Sequence, residues 1–70
     1  MGGQSDNNIN FGELCGFLRR LGFDVRIVGD HFIFVHDEIA EIINIQPDQN
    51  SMAKAYQVRQ VRKLLRQHNL

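Results

Sequence analysis

Apolar side chains along the chain change their period twice. From Phe11 to Leu21 they recur every three or four residues, so that Phe11, Leu14, Cys15, Leu18 and Leu21 share one side of a helix, and Gly12, Glu13, Gly16, Arg19 and Arg20 the other. Asn10, three residues before Glu13, predicts a capped start, and Gly22 a stop, because only glycine enters the left-handed position after a helix without steric cost. From Phe23 the period is two: Phe23, Val25 and Ile27 alternate with Asp24 and Arg26, which predicts a strand with one covered face. Gly29-Asp30 then reads as a tight turn, His31 to Val35 as a second strand, Asp37-Glu38 as another turn and Ile39 to Ile45 as a third strand. Pro47-Asp48-Gln49-Asn50-Ser51 breaks the pattern. Roughly from Ala55 to His68 the helical period returns, with Val58, Val61, Leu64 and Leu65 on one arc and Arg59, Arg62, Lys63 and Arg66 on the opposite one.

The resulting order is α-β-β-β-α, an α+β fold in which a three-stranded antiparallel meander carries both helices on one face and leaves the other open. Residues 1 to 8 hold no large apolar side chain after Met1 and are expected to be a disordered tail before a single domain over 9 to 70. Seventy residues that are 43% hydrophobic supply one modest core, too little for a deep cofactor cleft of the Rossmann or barrel kind. No apolar run approaches the roughly 18 residues of a membrane span, and the first residues lack the pattern of a signal peptide, so a soluble, cytoplasmic protein is expected. The lone Cys15 closes no intrachain disulfide and is expected to act as a small core hydrophobe.

Charge is informative by its placement. The chain is neutral overall, yet residues 1 to 53 set three arginines against all eight acids, net −5, while residues 54 to 70 carry Lys54, Arg59, Arg62, Lys63 and Arg66 and no acid, net +5. A basic end of this kind suits a polyanion or an acidic partner; equally, it suits a solvated helix whose cations favour the negative end of its dipole.

Three histidines are the side chains that titrate near neutrality without help. His68 stands at the end of the last helix and His36 before a turn, positions that ask for no chemical role. His31 opens the second strand on the side of the pleat opposite to Phe32 and Phe34, so if those two face the helices, His31 faces water. An exposed strand histidine is by default a polar surface residue. The acids show no metal-ligand spacing to a second histidine, and no nucleophile motif or phosphate-cradling loop is present.

The segment Gly29-Asp30-His31-Phe32-Ile33-Phe34, after a helix ending Leu21-Gly22-Phe23 and before a basic C-terminal helix, resembles the HicA family of bacterial toxins over about residues 9 to 70. Two positions depart from that pattern: Asp30 stands where serine is common, and Phe32 where a second histidine is frequent. The resemblance implies a fold like a double-stranded-RNA-binding domain, an mRNA interferase activity within a type II toxin-antitoxin system, His31 as catalytic residue, mRNA as substrate and a HicB-type antitoxin as partner. It implies no cofactor and no metal. Cleavage by attack of the 2′-OH on the adjacent phosphorus needs a base, an acid for the leaving 5′-oxygen and positive charge for the phosphorane. His31 is expected as base or acid, and Arg26, Lys54, Arg59, Arg62, Lys63 and Arg66 as phosphate contacts, Arg26 nearest the chemistry. Two other classes stay open: a non-catalytic RNA-binding module using the basic helix, and a protein-interaction domain for which that helix is a partner surface.

Overall fold

Asn10 opens the first helix as the sequence predicts, its Oδ1 accepting a hydrogen bond from the Glu13 backbone N–H at 3.2 Å. A computed structural model describes residues 9–70, so the tail expected over residues 1–8 lies outside the described residues. Helix α1 (Phe11–Arg20) is followed by strands β1 (Asp24–Val28), β2 (His31–His36) and β3 (Ile39–Ile45) and by helix α2 (Ala55–Gln67), the α-β-β-β-α order of the periodicity. α1 ends where glycine is required. Gly22 has φ +101° and donates to the Arg19 carbonyl at 3.0 Å, while Phe23 donates to that of Leu18 at 3.2 Å, with both apolar side chains buried. α2 closes by the same device, with Asn69 at φ +59° and Leu70 donating to Leu65 at 2.8 Å.

The three strands form one antiparallel sheet in the order β1-β2-β3. Gly29, at φ +63°, makes the β1–β2 turn, and the register pairs Val25 with Phe34, Ile27 with Phe32 and Val28 with His31. Across β2 and β3, Phe32 pairs with Ile45, Ile33 with Asn44 and Phe34 with Ile43. Paired residues share a face, so Phe32, Phe34, Ile43 and Ile45 look toward the helices, and Arg26, Val28, His31, Ile33 and Asn44 look away. Between Phe34 and His36 the register shifts, leaving Ala40–Ile42 of β3 as an irregular stretch.

Both helices lie on the same face. The Phe11 ring meets Phe32 edge-on at 4.9 Å, and the Leu21 carbonyl at the other end of α1 meets His36, so α1 runs along β2 in the same direction. Gln57 near the start of α2 accepts from the Gln46 N–H at the end of β3, and His68 at its end meets Glu41, so α2 runs antiparallel to β3. Phe34, Leu18 and Ile45 are the largest fully buried side chains, at the centre of the core between layers. The domain is a slab of 31 × 31 × 18 Å, one face helical and the other bare sheet.

Two expectations about side chains change. Alternation puts Ile27 with Phe23 and Val25 on a covered face; it does share the helix side with Phe32 but is 57% exposed, because β1 is an edge strand and the helices lie over β2 and β3. His68, given no role, bonds through Nε2 to Glu41 Oε1 at 3.0 Å. The Glu41 carboxyl is held below its usual value, first by a backbone hydrogen bond at Glu41 itself and then by the His68 ring. No described helix is long and apolar enough to cross a membrane.

Two measurements check this frame. Gly22→Ala should destabilise the fold by about 1–2 kcal/mol in chemical denaturation, since a Cβ there enters a left-handed conformation and comes within 3.2 Å of His36 Nε2, whereas Gly16→Ala, with 3.8 Å to its nearest neighbour, should stabilise by about 0.5–1 kcal/mol. A carboxyl lowered on folding stabilises above its ordinary value of 4.5 and ceases to do so as pH falls through the lowered one; the stability difference between wild type and Glu41→Gln should therefore be present at neutral pH and fade below about 4.5.

Candidate active site on the open sheet face

The position of His31 follows from its neighbours. Phe32 and Phe34 are drawn into the core, and alternation turns His31, Ile33 and Val35 to the opposite side. The His31 side chain keeps about half its surface exposed, at 51%. Its Nδ1 lies 3.2 Å from Asn44 Oδ1, across the strand pair, and its Nε2 lies 3.8 Å from Asp30 Oδ1 in the preceding turn. Arg26 and Asn44 flank Ile33 from the two sides, one pleat from the Val28–His31 pair, so the guanidinium, the amide and the imidazole belong to one patch. Around them the open face is unexpectedly apolar: Val28 and Val35 are exposed, and Ile42 in the irregular stretch of β3 is 60% exposed.

Asn44 was missed in the sequence. Its alternation with Ile43 and Ile45 signals an outward side chain, but its meeting with His31 depends on a β2–β3 register that no local pattern encodes.

The other histidines do structural work. His36 Nε2 donates to the Leu21 carbonyl at 3.2 Å, its Nδ1 accepts from the Glu38 N–H at 3.1 Å, and its ring meets Phe23 edge-on at 4.9 Å. Both ring nitrogens are thereby engaged with backbone, so His36 clasps the end of α1 to the β2–β3 turn. His68 is held by Glu41 on the helix side.

The basic residues do not all gather around His31. On α2 the buried Gln57, Val58, Val61 and Leu65 face the core, and at 100° per residue Arg59, Lys63 and Arg66 fall outside that arc and are exposed, Arg66 also bordering the groove between α1 and α2. Arg62, half-buried, lies between, lining an open apolar groove of about 400 Å³ between α1 and α2 with Leu14, Phe17, Val58 and Leu65. That groove is therefore on the face opposite to His31. Lys54, half-buried, caps α2 without a side-chain bond at the end of the slab where β3 finishes beside the start of β2. Of the six cations expected to hold phosphate, Arg26 alone shares the face of His31.

Other chemistry has little footing. Burial pushes the Cys15 thiol above its usual value, away from the thiolate a nucleophile needs. Among the described residues no three metal-ligating side chains converge.

The two strand histidines should separate on substitution. His36→Ala, which leaves the Leu21 carbonyl and the Glu38 N–H without partners, should cost about 1–3 kcal/mol of stability, and His31→Ala, on the exposed face, within about 0.5 kcal/mol, both read by urea denaturation.

Comparison of the chain with protein-family models, with curated proteins and with solved structures gives no match.

Proposed function

We propose that the chain is an endoribonuclease of the HicA toxin kind, cleaving mRNA with His31 as its single general acid–base group. The observation that carries the reading is His31 itself, an imidazole half exposed on a bare sheet face, bonded on one side to Asn44 and with Arg26 a pleat away. In the proposed reaction His31 takes the proton of a ribose 2′-OH as that oxygen attacks the neighbouring phosphorus; the bond to the 5′-oxygen breaks, that oxygen leaves with a proton from the imidazolium or water, and a 2′,3′-cyclic phosphate remains. Arg26 supplies the positive charge nearest the phosphorane. A shallow face carrying one cation and aliphatic side chains suits contact with backbone and 2′-OH better than reading of base edges, so sequence preference is expected to be weak.

The cations on the outer side of α2 act in this reading at a distance, attracting RNA to the domain rather than holding the reacting phosphate. The basic segment as a whole, net +5 over residues 54 to 70, suits an acidic protein partner of the HicB antitoxin type. It also favours a second reading. An RNA-binding module holding a polyanion on the outer face of α2 would need nothing from His31.

Cleavage of a defined RNA by the purified chain separates the two. The proposal expects 2′,3′-cyclic phosphate ends, activity undiminished by a chelator, and a fall of at least about 10²-fold in His31→Ala at unchanged RNA affinity. RNA bound tightly by the wild type and left intact, with affinity lost on Arg59→Ala/Lys63→Ala/Arg66→Ala, would establish the second reading instead.

A further inference from the structure

We infer that Asn44 is a positioning residue that fixes the tautomer of His31 and thereby assigns the working nitrogen to Nε2. The inference rests on the ribonuclease reading for its consequence, though not for its geometry. A neutral imidazole carries one proton, and its two nitrogens exchange roles between donor and acceptor. An amide oxygen offers only lone pairs. Because Asn44 Oδ1 is the atom facing His31 Nδ1 at 3.2 Å, the bond forms when Nδ1 holds the proton and donates it, which leaves the lone pair on Nε2.

The surroundings of Nε2 agree with that assignment. The Asp30 carboxylate stands 3.8 Å from Nε2, beyond hydrogen-bond distance for the neutral ring, close enough to attract the charge that appears once Nε2 has taken a proton. The imidazolium would then hold Asn44 through one nitrogen and face Asp30 through the other. The arrangement has the logic of a histidine oriented by a partner at its second nitrogen, with a neutral amide from a neighbouring strand in the place often taken by a carboxylate. Asn44 is suited to the task because β3 holds it by ladder pairing opposite Ile33 and not by a loop.

Ring nitrogen NMR of the full chain labelled with ¹⁵N-histidine, in mildly alkaline solution where imidazole is neutral, reads the tautomer without reference to activity. The wild type should show His31 predominantly protonated at Nδ1, and Asn44→Leu should release it toward the Nε2–H form that free histidine favours in water. Asn44→Asp, whose carboxylate also accepts from Nδ1, should restore the wild-type tautomer. In RNA cleavage, Asn44→Leu should lower kcat by about ten- to a hundred-fold with KM little changed, and Asn44→Asp should recover most of that loss. A wild-type His31 protonated at Nε2, the state expected if the amide nitrogen of Asn44 donates to Nδ1, would overturn the inference, as would a tautomer indifferent to Asn44→Leu in a variant still folded by circular dichroism. An Nδ1–H tautomer that depends on Asn44 in a chain without ribonuclease activity would keep the assignment of Asn44 and remove the ribonuclease reading.

Discussion

The side of the sheet on which His31 stands is decided by the burial of Phe34. In the central strand, Phe34 is fully buried in one cluster with Leu18, Ile43 and Ile45, and Phe32 on the same face meets Phe11. Returning even one such side chain to water costs about 1.5–3 kcal/mol, and a slip of one residue in β2 would return the whole set at once. That slip would also carry His31 inward, among aromatic rings, without a partner for its nitrogens. The exposure of the candidate site is thus a consequence of the core. The Gly29 turn and the ladder to β3 then decide who stands beside His31: Asp30 by sequence, Val28 and Asn44 by pairing.

A second consequence of the same one-sided packing concerns charge. Both helices lie on the covered face, so the apolar arc of α2 points to the sheet, and its cations point away from it. The amphipathic pattern that makes α2 a helix of this fold is what separates Arg59, Lys63 and Arg66 from His31. The cations of α2 and the His31 patch therefore occupy opposite sides of a slab only 18 Å thick. Arg26 escapes the separation because it alternates outward on β1, in phase with His31 through the Ile33 pair.

Local signals were enough to read much of this. Asn10 and Gly22 bounded α1, the switch from helical period to alternation at Phe23 gave the meander, and Phe32 and Phe34 gave the facing of β2. The opposed placement of the α2 cations was implicit in that pattern, because a stripe across from an apolar arc cannot share a surface with the bare side of the sheet. What local signals did not reveal are meetings between distant residues. Asn44 reaches His31 from 13 positions away, His36 reaches back 15 to the Leu21 carbonyl, and His68 reaches Glu41 across 27. The irregular stretch at Ala40–Ile42 had no glycine or proline to announce it, since it arises from a mismatch of register between β2 and β3. The family resemblance carried His31 and the proposed activity, and it was silent on Asn44.

In the proposed reaction RNA is engaged by the bare sheet face. Backbone amide NMR of the chain titrated with a short RNA whose 2′-hydroxyls are methylated, so that it binds without being cleaved, tests that placement most directly. The largest shifts are predicted at Arg26, His31, Ile33 and Asn44, with weaker, salt-sensitive ones on the outer side of α2. Shifts confined to Arg59, Lys63 and Arg66, with the sheet face unmoved, would contradict it.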